Sequence, residues 1–270
     1  GAGLFPITML PYPHAAHIYI GLRWHLDQTS PKWNQDHLDA AFRAFHWQNV
    51  MATRYDEGVL TKMPADMKYI KSMLDDRVSV DDPASWEQKI QEDLTKLFDA
   101  KDYKVRDKKQ ITEGIKNGAA RGALRDAYQL LLFSRVTVDL LDDSKSLVFS
   151  PDSNIEAQMH HIFPKKWLSD NRIGKLAKAL DKGEETGQDW VNSAANKMKL
   201  SAQSNNQWKS SNPKMIFDQD KITWDTHSEI LKTLFIDENC FKLLSDPYPG
   251  DLGNVVKFWE ARAELIATEL

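Results

Sequence analysis

Apolar residues recur at helical spacing along most of this chain, and that period commits the greater part of it to helices packed through one face. Leu38, Phe42 and Phe45 form one stripe, and Met67, Ile70 and Leu74 a second. Trp86, Ile90, Leu94 and Leu97 form a third, and Leu124, Tyr128, Leu131 and Leu132 a fourth. Pro64 and the Asp82-Pro83 pair read as boundaries, because the residue before a proline is pushed out of the helical region. Asp81 or Asp82 is placed to cap the helix that Pro83 opens. Two more helices are expected at the end. One lies around Ile230, Leu234 and Phe235, the other runs from Val255 through Phe258, Trp259 and Arg262 to Ile266.

The period changes in the middle. Ser146 to Pro164 holds Leu147-Val148-Phe149, a turn-like Pro151-Asp152-Ser153-Asn154, then Ile155 through Phe163, which reads as extended chain with turns. From Asn196 to Leu200 the residues alternate, Lys197 and Lys199 on one side, Met198 and Leu200 on the other, as in a half-buried strand. Ser201 or Ser204 can cap a short helix that runs past Lys209 and stops near Asn212-Pro213. The expected fold class is therefore mainly α. A helical region covers 4–145, a strand–loop–strand–helix unit 146–217, and C-terminal helices packing on the same core 218–270.

Composition narrows the classes further. At 270 residues, 41% apolar and 27% charged, the chain can bury a proper core. No apolar run approaches the roughly 18 residues that span a bilayer, and no signal peptide opens the chain, so no membrane partner is expected. Cys240 is the only cysteine, which excludes an internal disulfide and any zinc site built from cysteine pairs and points to the cytoplasm. The start Gly1-Ala2-Gly3, without methionine, reads as a cloning scar on a piece of something longer. Net charge is -4, yet residues 160–214 carry ten cations against five acids. A basic island in an acidic protein suits a polyanion bound at one place.

The string that carries chemistry is Met159-His160-His161-Ile162-Phe163-Pro164-Lys165-Lys166, followed by Asn196-Lys197-Met198-Lys199-Leu200 and Asn205-Asn206-Gln207-Trp208-Lys209. Phosphodiester hydrolysis needs an activated water and stabilisation of the charge on phosphate. A histidine near its reference pKa can take the water's proton, and a divalent cation can supply the stabilisation. Asn206 and Lys209 are three apart and would share a helix face, which favours Asn206 as amide ligand; Asn205 stays open. Adjacent strand residues point to opposite faces, so the strand must end or bulge at His160-His161 for both to reach one ion. The other six histidines read as ordinary surface or core residues, and His14 with His17 lacks a third ligand. Trp24, Trp33, Trp47 and Trp86 read as packing residues.

Over 155–213, a fifth of the chain, these residues resemble the HNH, or ββα-metal, endonuclease family. The resemblance implies a helical domain with an embedded ββα-metal finger. It makes His160 a metal ligand, His161 the general base, Asn196 the residue that steadies the base, and Asn206 the second metal ligand. It implies one divalent ion, Mg²⁺ first, with Mn²⁺ or Ni²⁺ as alternatives, and DNA as substrate. Lys165, Lys166, Lys197 and Lys209 are the candidate phosphate contacts.

The wider arrangement adds Arg121-Gly122-Ala123-Leu124-Arg125 and Leu130 to Phe133 ahead of the His-Ile-Phe-Pro string. It is similar to the C-terminal half of GmrSD-type modification-dependent restriction and phage-defence proteins, which implies an N-terminal ParB/sulfiredoxin-like nucleotidase half as partner. The leading expectation is a DNA-nicking, metal-dependent nuclease. Its rivals are a catalytically silent DNA- or partner-binding module of HNH-like fold, and a helical interaction protein in which the histidine pair is incidental.

Overall fold

The computed structural model describes residues 10–77, 83–99, 106–116, 122–148, 157–171, 191–245 and 253–269. Asp81, Asp82, Arg121, the 151–154 turn, the Trp86 side chain, and Arg172, Lys175, Lys178 and Lys182 of the basic island lie outside the described residues. The protein is mainly helical with a small two-stranded antiparallel sheet. It divides into two compact units, one over 7–107 with 122–124, the other over 1–6, 108–121 and 125–270.

The first unit holds α1 (Ala16–Thr29), α2 (Gln35–Met51), α3 (Val59–Arg77) and α4 (Pro83–Asp99). Ile18, Leu22, Leu38, Phe45, Ile70, Leu74, Leu94 and Phe98 from all four helices close one core, as the helical stripes predict. Asn34 starts α2: its side chain accepts from the His37 amide, while the His37 ring accepts from the Asn34 amide. The Trp33 indole donates to Asp75 at 2.8 Å. Arg54 and Asp66, both buried, form a two-point ion pair at 2.7 and 3.0 Å, and the Tyr55 hydroxyl donates to the same carboxylate.

Two expectations are corrected in this unit. Pro64 lies inside α3 rather than at a boundary. It lies past the first turn of α3, where it gives up one backbone hydrogen bond and the helix continues to Arg77. Trp24 is 66% exposed on α1 instead of buried; the 3.6-residue period puts it on the face opposite Ile18 and Leu22.

The second unit contains α5 (Lys108–Lys116), α6 (Ala123–Arg135), β1 (Ala157–His161), α7 (Lys165–Asp170), β2 (Lys197–Ser201), α8 (Ala202–Trp208), α9 (Pro213–Asp220), α10 (Trp224–Thr233), α11 (Glu238–Ser245) and α12 (Gly253–Glu269). α12 packs on α5 and α11, burying Val255, Phe258, Trp259 and Ile266. Three helix ends differ from the sequence reading. α8 stops at Trp208, because Lys209 takes φ 49°. Asn212-Pro213 starts a helix instead of ending one: the Asn212 side chain accepts from the Met215 amide and Pro213 sits at the first helical position. Glu238–Ser245 forms a further helix, with Leu234 and Phe235 in the turn before it.

α2 buries an imidazole, His46, with no partner for either nitrogen. Burial pushes its pKa down to about 4. The ring is thus neutral in the fold, while the unfolded chain protonates near 6.5. That difference adds stability above pH 6.5 that is lost as pH falls from 6.5 toward 4. His46→Leu is expected to keep or raise the melting temperature at pH 7 and to flatten its decline between pH 7 and 5. Thermal melts at matched ionic strength check this; a decline as steep as wild type would locate the acid sensitivity elsewhere.

Candidate functional site

β1 and β2 pair antiparallel with Ala157 opposite Ser201, His160 opposite Met198 and His161 opposite Lys197. Directly opposed residues share a face, so Gln158, His160, Met198 and Leu200 lie on one side. Met159, His161, Lys197 and Lys199 lie on the other. The adjacent histidines are therefore on opposite faces, and β1 ends at His161.

The first face is covered by α8. Ser201 caps that helix by accepting from the Ser204 amide at 3.1 Å. Buried Asp139 holds the junction, accepting from the Ser201 amide at 2.6 Å and the Ser204 hydroxyl at 2.7 Å. The same registration sets Asn205 and Trp208 against His160. The Asn205 Oδ1 lies 2.6 Å from His160 Nδ1, and the Trp208 ring centroid 5.1 Å from that of His160. His160 is only 5% exposed, and its Nε2 is buried with no hydrogen-bond partner. Burial is the main force lowering its pKa to about 4, with His161 adding to the fall and the Asn205 contact opposing it.

The second face is covered by the stretch after α6. The Lys199 ammonium is buried and donates to the carbonyls of Phe133, Val136 and Leu147 at 3.0, 2.9 and 2.5 Å. β2 is thus covered on both faces, not half-buried as its alternation predicts. Burial lowers the Lys199 pKa to about 8. This lysine of the basic island ties segments together and does not reach solvent.

His161 is half-buried, with Nε2 3.0 Å from the Asn192 Oδ1. Asn192 is a partner the sequence reading did not single out. Asn196 is fully buried and works on backbone rather than on the imidazole. Its Oδ1 accepts from the Phe163 amide at 2.9 Å, and its Nδ2 donates to the carbonyls of Phe163 and Val191 at 3.1 and 2.8 Å. Asn196 therefore fixes the loop two residues beyond His161. Behind it, Arg262 of α12 donates to the carbonyls of Ala194 and Ala195 and, twice, to that of Leu234.

His160, His161, Lys165, Lys166, Asn205 and Lys209 line a hollow of about 310 Å³ at the end of β1. The three lysine side chains are exposed, and Lys166 also pairs with Asp170 at 3.0 Å. Of the two asparagines weighed, the fold brings Asn205 to His160. Asn206 is exposed and is not among the side chains lining the hollow. The shared face expected for Asn206 and Lys209 does not form, because Lys209 has left the helix. Lys197 is half-buried beside β1 and is not among the lining side chains either. Among the described residues no three of His, Cys, Asp and Glu converge as a metal cage.

No family model, curated protein or solved structure matches the chain.

The Asn196 clamp gives a direct prediction. Asn196→Ala leaves three backbone groups unpaired in a buried place, at about 1–3 kcal/mol each before relaxation. Urea unfolding is expected to show a fall of at least about 2 kcal/mol, together with lower protease resistance of the loop after His161. A midpoint within error of wild type would remove the clamp from the account.

Proposed function

We propose that this protein is a metal-dependent nuclease of the HNH type, with β1, β2 and α8 as its ββα-metal unit and DNA as its substrate. The observation that supports this most is the convergence of two differently held imidazoles and three lysines on one hollow at a strand end. A phosphodiester brings the negative charge that such a lysine set attracts.

On this reading the two histidines divide the work by their partners. The Asn192 carbonyl oxygen accepts from His161 Nε2–H, which leaves Nδ1 as the basic nitrogen. His161 takes a proton from water at that atom, and Asn192 keeps the ring in the tautomer that allows it. Asn196 holds the loop behind the ring, so it is a positioning residue. Lys165, Lys166 and Lys209 bind phosphate oxygens and set the strand's register.

His160 Nε2 is buried without a hydrogen-bond partner, while the Asn205 amide oxygen sits at Nδ1 on the other edge of the ring, so the two do not face one ion as placed. With three lysines and no carboxylate lining the hollow, the described residues do not by themselves make a divalent-ion site, and the ion of this reading comes from the sequence resemblance. When bound, that ion supplies charge stabilisation at the phosphate and the leaving oxygen. The restriction or antiviral setting, with a separate nucleotidase half, comes from the sequence resemblance alone. The lack of a third His, Cys, Asp or Glu among the described residues favours the second reading, a module that binds DNA without cutting it.

A supercoiled-plasmid assay with Mg²⁺ or Mn²⁺ separates the two. The nuclease is expected to nick in a way that EDTA abolishes, and His161→Ala to lower the rate by about 10²-fold or more. Cleavage surviving in His161→Ala would sink the mechanism, and DNA binding without cleavage would select the silent module. In the same preparations, Lys209→Ala is expected to reduce the slope of log affinity against log salt by about 0.9. An unchanged slope would take Lys209 off the phosphate path.

A further inference from the structure

The lining of the hollow at the end of β1 is one-sided in charge. Lys165, Lys166 and Lys209 face it with no Asp or Glu among the described residues, and Asp170, which pairs with Lys166 at 3.0 Å, stands outside the lining. Such a lining repels a cation and attracts an anion. One of the three lysines is held there against its own backbone preference. Lys209 has φ 49° and ψ -114°, a region open to glycine and costly for a residue with a Cβ. It is the first central residue of the turn Trp208–Ser211, which the Ser211 amide closes by donating to the Trp208 carbonyl at 3.0 Å. Turns with a positive φ at that position ordinarily carry glycine there. Two further bonds pin this one: the Lys209 amide donates to the Asn205 carbonyl at 3.0 Å, and the indole of buried Trp208 donates to the Ser211 carbonyl at 3.0 Å. Both central residues, Lys209 and Ser210, line the hollow. Backbone strain of this kind persists only where the surrounding structure imposes it, and it clusters at binding sites.

We propose that the hollow binds a phosphate group without a divalent ion, and that the strained turn Trp208–Ser211 holds the Lys209 ammonium in position to do so. Lys165, Lys166 and the Ser210 hydroxyl supply further donors to the phosphate oxygens. The charge that a metal ion would otherwise neutralise is met by ammonium groups. The proposal rests on the nuclease reading only in taking the phosphate of a nucleic-acid strand as the natural occupant.

An NMR titration of the whole protein in EDTA, at constant ionic strength, reads this through the amides of Lys165, Lys166 and Ser210. Inorganic phosphate is one probe and the dinucleotide dTpdT the other. Wild type is expected to shift and saturate with phosphate. Lys209→Gly is expected to need roughly fivefold more phosphate, the effect of one unit charge at about 4 Å in water. Its melting temperature is expected to rise by about 2–4 °C as the turn relaxes. Lys209→Arg, which keeps the charge, is expected to bind as wild type does. Lys221 also has a positive φ, 55°, but is not in the lining, so Lys221→Gly is expected to leave the phosphate midpoint unchanged. Amides that phosphate leaves unmoved in EDTA overturn the proposal. So does a Lys209→Gly variant that binds as wild type or melts below it, or a Lys221→Gly variant that loses as much affinity. Saturation by dTpdT as well assigns the hollow to phosphate within a strand, and a response to inorganic phosphate alone assigns it to free or terminal phosphate; either supports metal-free binding. Plasmid cleavage enters none of these readouts, so an inactive protein can pass the test and an active nuclease can fail it.

Discussion

One buried amide, Asn196, sets the geometry on which the rest of the site depends. Two of its three hydrogen bonds join the loop after β1 to the chain entering β2, the one to Val191 stays within that chain, and the Ile162 amide adds a third link by donating to the Asn196 carbonyl. Without these links two five-residue strands would have to hold their register unaided, and isolated strand pairs of that size are marginal in water. Arg262 supports the amide from below. It meets carbonyls only, one at the end of α10 and two in the turn Ala194–Asn196, where backbone partial charges are negative. A buried guanidinium with five N–H groups can satisfy several carbonyls at once, which a hydrocarbon side chain cannot. Arg262 is thus tied by hydrogen bonds to the turn Ala194–Asn196, and Asn196 to the loop after His161.

α2, α3, α4, α6 and α12 were legible in the sequence because each buries one stripe, and a stripe is a local signal; α1, α5, α7, α9 and α11 were not singled out. What stayed hidden was decided by partners remote in sequence. Lys199 alternates with Met198 and Leu200 and so reads as solvent-facing. Three carbonyls from residues 133–147 claim its ammonium, and no local pattern announces them. Asn212-Pro213 shows a different limit. The same dipeptide can end one helix or begin the next, and here Asn212 caps forward onto Met215. Pro64 is a third case: past the first turn of α3 it removes one bond and the helix continues.

The histidine pair, Asn196 and the lysines stood out by residue type and order. The choice between Asn205 and Asn206 turned on where α8 stops, and helix ends are the least predictable part of a helix. Carrying the 100° rotation on to Lys209 selects Asn206; stopping at Trp208 removes that argument, and the Asn205 face meets β1. Asn192 gave no signal, since polar residues outside an apolar period look alike until a partner is found. Asn192 meets the His161 ring through its amide, the kind of contact that spacing does not encode.

The electrostatics of the hollow bear on the order in which ligands bind. Burial holds His160 neutral, three lysines line the same space, and carboxylates do not converge there among the described residues. A bare divalent cation entering such a place meets like charge, each lysine costing about 1 kcal/mol at 4 Å even in water and more where solvent is excluded. A phosphate placed first reverses that sign, because its oxygens face the lysines on one side and the ion on the other. On the proposed reading the metal and the nucleic acid therefore bind cooperatively, and by linkage each raises the other's affinity by the same factor.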